Sequence, residues 1–76
     1  MDSPSNTIDV YVRLLNEGTE AFRPTRALDL GGGLFRLMAA PDYDPEDEEW
    51  EFLPDKTNRI EIHQGRSGDF PLAVKP

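Results

Sequence analysis

The chain has 76 residues, no cysteine and a net charge of −7, which limits it to one small domain without disulfides or thiolate metal sites. An overall negative field repels phosphate backbones and disfavours nucleic-acid binding. No apolar run approaches the ~20 residues of a membrane span, and residues 1–7 lack the basic start and apolar run of a signal peptide. We therefore expect a cytoplasmic protein that makes no membrane contact.

Residues 1–7 are small and polar and predict a flexible tail, so that the folded domain comprises residues 8–76. The stretch from Ile8 to Leu15 alternates apolar and polar residues, as a half-buried strand requires. Asn16-Glu17-Gly18-Thr19 predicts a turn, because glycine adopts positive φ without a Cβ clash. A second strand follows from Glu20 to Leu30, and Pro24 indicates that this strand lies at an edge or a bend.

A run of three glycines, Gly31-Gly32-Gly33, predicts a second hairpin turn. A phosphate-binding loop is the alternative use of such a run. The sequence excludes it, because neither the G-x-G-x-x-G pattern nor a P-loop lysine is present. A third strand is expected over residues 34–39.

The second half of the chain contains further short elements separated by prolines and glycines. We expect a loop over residues 41–49 and strands over 50–52, 59–63 and 71–74. Five or six short antiparallel strands without a helical period predict an all-β fold, and closing a small sheet hides its edges. We therefore predict a small, partly open SH3-like barrel with a core formed by Ile8, Val10, Val12, Leu14, Phe35, Leu37, Trp50, Phe52, Ile60 and Ile62.

One pattern in the chain is formed by Val10, Val12, Leu14, Glu17-Gly18 and Arg23-Pro24, and a second by Trp50-Glu51-Phe52-Leu53-Pro54. Together they resemble a set of small uncharacterised bacterial proteins that share a V-x-V-x-L-x-x-E-G-x-x-x-x-R-P opening and a W-E-F-x-P element. The match covers roughly residues 10–60. It departs at Pro54-Asp55, where these proteins often have Pro-Gly, and it is weak from Arg66 onward. The resemblance implies a bacterial origin and a compact β domain, and it implies no catalytic residues.

The acidity is concentrated in one place. Eight of the fifteen acids lie between Pro41 and Asp55, without a Lys or Arg, so the rest of the chain carries seven acids against eight basic residues. An EF-hand is excluded, because position 6 of the loop is Asp47 where the turn needs glycine. One interpretation is that these acids form a solvent-exposed loop without a specific binding role. The functional interpretation is a partner-binding surface formed by Asp42, Tyr43, Asp44, Glu46, Asp47, Glu48, Glu49 and Trp50.

Catalysis has little support in the sequence. His63 is the only histidine, and nothing positions Ser67 or another serine beside it. Paired carboxylates such as Asp47 and Glu49 would need a substrate cleft of ~300 Å³ or more, for which a chain this short offers little material. We therefore expect no enzyme activity and no cofactor.

The leading hypothesis is a non-enzymatic interaction module that presents residues 41–52, the acidic segment, to a basic protein partner. On this hypothesis, neutralising Asp44, Glu46, Asp47 and Glu48 leaves folding intact or slightly improves it, because like charges repel. One alternative is a small nucleic-acid-associated barrel that uses Arg13, Arg23, Arg26 and Arg36 on one face. Another is an oligomer that pairs through the edge bearing Pro24. Trp50 is open to two interpretations, core packing and ligand contact.

Overall fold

The computed structural model describes residues 6–66 and 68–76, and within them the fold is all-β. The described residues form five strands, and the predicted all-β fold class is confirmed. Five is the lower of the two strand numbers that were expected. No helix is present in the described ranges. The strands are β1 (Thr7–Leu14), β2 (Ala21–Gly31), β3 (Leu34–Met38), β4 (Thr57–Gly65) and β5 (Gly68–Val74).

The strands form a closed barrel in the order β1-β2-β3-β4-β5, in agreement with the predicted small SH3-like barrel. Most neighbouring strands pair in antiparallel orientation. Strands β1 and β2 form a continuous ladder from Thr7↔Leu28 to Leu14↔Ala21. Closure rests on a single parallel pair, Tyr11↔Leu72, between β1 and β5. The barrel is thus closed in topology, but its seam is short.

Both predicted hairpin turns are present. Asn16 and Gly18 have φ of 61° and 77°, the left-handed conformation that Asn and Gly tolerate best. The glycine run joins β2 to β3, and all three of its residues have positive φ. Gly33 also leaves room for a neighbour, since a Cβ there would lie 2.9 Å from the Arg59 guanidinium.

The barrel interior contains much of the predicted core. Nine of the ten predicted residues are buried or packed against the buried cluster. Alternation explains the result on β1, where Val10 and Val12 are 1% and 0% exposed. The buried members of the cluster are Val10, Val12, Ala27, Leu37, Ala40, Trp50 and Ala73.

Ile62 is the predicted core residue that the structure places outside, with 65% of its surface exposed. Its alternation with Ile60 is correct, but β4 continues beyond the barrel wall. The β3–β4 pairs are Phe35↔Asn58 and Arg36↔Thr57, so the rest of β4 extends as an arm with β5. On that arm the face bearing Ile62 meets solvent instead of the core.

The predicted strand over residues 50–52 is wrong in extent. Trp50 forms an isolated bridge with Leu14, and residues 51 and 52 follow in a bend. Two prolines and dense like charge nearby leave too little regular backbone for a ladder. The other predicted strands are confirmed, with β4 and β5 longer at the hairpin end than expected.

The N-terminal tail was predicted over residues 1–7, of which residues 1–5 lie outside the described ranges. Asn6 already contacts the barrel, since its carbonyl accepts the Asp29 N–H at 2.7 Å, and β1 begins at Thr7. Pro24 lies where expected. Pairing of β2 with β3 covers Arg26 to Gly31, so the part of β2 around Pro24 is paired with β1 alone.

Candidate functional site

The acidic segment is attached to the barrel by backbone hydrogen bonds at its C-terminal end. Leu15 donates to the Glu49 carbonyl at 2.7 Å, and Glu51 donates to the Arg13 carbonyl at 2.9 Å. These two bonds flank the Leu14↔Trp50 bridge, so the end of the segment lies along β1. The backbone around Trp50 is therefore fixed to the barrel wall.

Trp50 anchors the segment from within. The residue is 2% exposed, and its indole N–H donates to Glu48 Oε1 at 2.8 Å. The ring of Tyr43 packs on the indole with a centroid distance of 4.6 Å. Core packing is thus the correct one of the two interpretations of Trp50, and both aromatic rings fix the segment to the core.

Arg23 neutralises part of the acidic segment. Its register partner on β1 is Val12, which is fully buried, so Arg23 projects on the core side of β2. Its guanidinium forms ion pairs with Asp42 and with Glu48, the latter at 3.5 Å. The countercharge that the local sequence lacks therefore comes from β2, a strand that lies well before the segment in the chain.

A tight turn shapes the centre of the segment. The Asp44 carbonyl accepts the N–H groups of Asp47 and Glu48 at 2.9 and 3.0 Å. The Asp44 carboxylate accepts the N–H of Glu46 at 2.9 Å, the usual capping use of an Asp side chain. This turn directs the side chains of Glu46 and Asp47 outward, where both residues are exposed.

The eight predicted partner-binding residues therefore divide into two groups. Six of them hold the segment in place by packing, ion pairs or hydrogen bonds: Asp42, Tyr43, Asp44, Glu48, Glu49 and Trp50. Glu46 and Asp47 have no side-chain hydrogen bond or ion pair within the described residues. The expectation that four neutralising substitutions leave folding intact now applies only to these two acids.

The arginines of the alternative hypothesis do not share one face. Arg23 lies on the core side of the sheet, whereas Arg13, Arg26 and Arg36 alternate to the outer side. Arg26 is near Asp9 at 3.9 Å, and Arg13 pairs with Glu20 at 2.6 Å and with Glu51 at 3.7 Å.

The hydrogen bond from Arg13 holds the pKa of the Glu20 carboxyl below its ordinary value. The carboxylate of Glu20 pairs with the guanidinium of Arg13 and offsets its charge. In the described structure Arg13, Arg26 and Arg36 lie on the outer side of the sheet, and Arg23 is separated from them on the core side.

An outer aromatic cluster, formed by Tyr11, Phe22, His63 and Phe70, joins the β1–β2 hairpin to the β4–β5 arm. Phe70 lies 4.9 Å from Tyr11, 5.0 Å from Phe22 and 5.2 Å from His63 between ring centroids. This cluster was not predicted from the sequence. Its signal is the outward position of Tyr11 and His63 in otherwise alternating strands, which indicates a second apolar face.

A groove of about 740 Å³ runs beside this cluster, between the two hairpins. The premise that so short a chain offers little material for a cleft was therefore wrong. The single histidine lines the groove, but its ring packs on Phe22 and Phe70, and no described side chain hydrogen-bonds to it. Within the described ranges, no three His, Asp or Glu side chains are grouped so that they could hold a metal.

Comparison of the chain with protein-family models, with curated proteins and with solved structures found no match. The predicted resemblance to small bacterial proteins therefore stays a prediction. The part of the chain that the structure describes contains no helix long and apolar enough to cross a membrane. Fold and site together define a small all-β barrel with an acidic segment attached to its wall.

Proposed function

We propose that this barrel is a non-enzymatic protein-interaction module whose acidic segment contacts a basic protein partner. The observation that carries the proposal is the way the segment is held. Its own Trp50 is buried in the core, Arg23 forms ion pairs with two of its acids, and β1 forms hydrogen bonds with its backbone. A surface that is ordered before binding loses less conformational entropy when a partner arrives.

Charge favours a basic partner. Glu46 and Asp47 project from the turn with no countercharge in the described structure, and Glu49 is also exposed beside them. A patch of one sign steers an oppositely charged partner and raises the association rate at low salt. The acids that pair with Arg23 contribute less to this field, because their charge is offset locally.

The test compares two variants that change net charge equally. Glu46→Gln with Asp47→Asn removes the outward acids and leaves the contacts of Trp50, Arg23 and Asp44 in place. Glu17→Gln with Asp69→Asn is the matched control, since both residues are exposed and lie outside the acidic segment. A basic protein captured from extract on immobilised wild type is purified, and its association rate with each variant is measured against ionic strength.

We expect the Glu46/Asp47 variant to associate up to about 10-fold more slowly than wild type at low salt, with the difference vanishing at high salt. The control should stay close to wild type. Equal rates and equal salt slopes for all three proteins would contradict the proposal. So would the failure of wild type to retain any basic protein.

A further inference from the structure

The β4–β5 arm carries an unpaired strand edge. On its β3 side, β4 is paired only at Thr57 and Asn58, whereas its β5 side is paired from Arg59 to Gly65. From Ile60 onward the other edge of β4 has no strand partner in the described part of the chain. Such an edge is a template for another strand.

Pro71 fixes the direction in which the backbone groups of this edge point. Its register partner on β4 is Ile62, and proline has no N–H to exchange. The pair Ile62↔Pro71 is therefore of the non-hydrogen-bonded type, so the N–H and C=O of Ile62 point away from β5. By the same alternation Ile60 and Gln64 also present both groups to the open side.

We infer that this edge pairs with the same edge of a second copy of the chain, antiparallel and two-fold symmetric about Ile62. In this register Ile62 faces Ile62 of the partner subunit, and Ile60 faces the partner's Gln64. Each of these residues then donates and accepts one backbone hydrogen bond across the interface. The most exposed of the large apolar side chains in the described structure thereby packs beside its own copy.

Side-chain pairing across the interface selects this register. Centring on Ile62 places Glu61 opposite the partner's His63, in the close type of pair where side chains interact most strongly. Centring on Glu61 would place two carboxylates directly opposite one another, which is destabilising. Centring on His63 would place Ile62 opposite the partner's Gln64. Glu61 would then no longer lie opposite the partner's His63.

The edge of β2 is less suited to the same use. Pro24 is paired with Tyr11, again without an N–H, so its nitrogen faces the open side of β2. A strand added there would find no donor at that position. The alternative of an oligomer through the Pro24 edge is therefore less favourable than pairing through β4.

The test is the oligomeric state of wild type as a function of concentration, measured by sedimentation equilibrium. A single strand pair buries little surface, so we expect a weak, reversible dimer. Ile62→Lys should shift the protein to monomer at every concentration. Leu53→Lys is the matched control, because Leu53 is also an exposed apolar residue, at 50%, but lies outside β4. This variant should dimerise as wild type does.

Two further readouts report the register itself. Amide exchange at Ile60, Ile62 and Gln64 should slow as concentration rises, whereas exchange at Glu61 and His63 should not change. Because the chain has no cysteine, Ile62→Cys should form a disulfide-linked dimer under mild oxidation, since directly opposed Cα atoms lie within disulfide range. A wild type that stays monomeric throughout, or a dimer that survives Ile62→Lys, would overturn the inference.

Discussion

Replacing Trp50 with alanine is expected to leave most of the protein unfolded. The side chain is 2% exposed, belongs to the core cluster and supports the ring of Tyr43. Truncating a buried tryptophan costs about 3–5 kcal/mol through lost burial and the cavity that remains. That loss approaches the total stability of roughly 5 kcal/mol at the low end for folded domains.

Denaturation followed by far-UV circular dichroism measures this effect, because the variant has no tryptophan for fluorescence. Leu53→Ala is the control, since Leu53 is half exposed and lies just after Trp50 in the sequence. Its unfolding midpoint should stay near that of wild type. An unchanged midpoint for Trp50→Ala would mean that the indole is a surface group, and the structural account of the acidic segment would be wrong.

Replacing Glu48 with alanine is expected to have the second-largest effect, a loss of about 1.5–3 kcal/mol, the range for hydrogen bonds to charged groups. Glu48 accepts the indole N–H of Trp50 and pairs with Arg23. Its removal leaves a buried donor without a partner and an arginine with one acid fewer.

Glu48→Gln separates the two contributions, because the amide oxygen still accepts from the indole while the charge is lost. We expect its free energy of unfolding to lie between those of wild type and Glu48→Ala. Glu46→Ala is the matched control within the same turn and should stay within about 0.5 kcal/mol of wild type, as surface substitutions usually do. Equal losses for Glu46→Ala and Glu48→Ala would show that the ion-pair and indole contacts contribute nothing.

Much of the fold could be predicted because its signals are local. The alternation from Ile8 to Leu15 is visible without knowledge of the partner strand, and Gly31 to Gly33 indicate a turn by conformation alone. Ile62 shows the limit of such reasoning. Its alternation was read correctly, but whether that face meets a core depends on how far β3 extends beside β4.

The candidate site was predictable in position and not in its internal organisation. The charge density of the acidic segment is evident from the sequence. Its countercharges are not, because Arg23 and Arg13 reach it from strands distant in the chain. Sequence alone gave no means to separate the acids that hold the segment from Glu46 and Asp47, which project freely. The outer aromatic cluster was missed for the same reason, since two separate hairpins contribute to it.

The claim that the acidic segment is a preformed surface, and not a solvated loop, is tested most directly by amide hydrogen exchange. The amides of Leu15 and Glu51 bond across the junction with β1, and those of Asp47 and Glu48 close the turn at Asp44. We expect Leu15 and Glu51 to be protected about as strongly as neighbouring amides of the β1–β2 ladder, and the turn amides to be measurably protected. Exchange of all four at the rate of an unstructured peptide, while the ladder stays protected, would contradict the account.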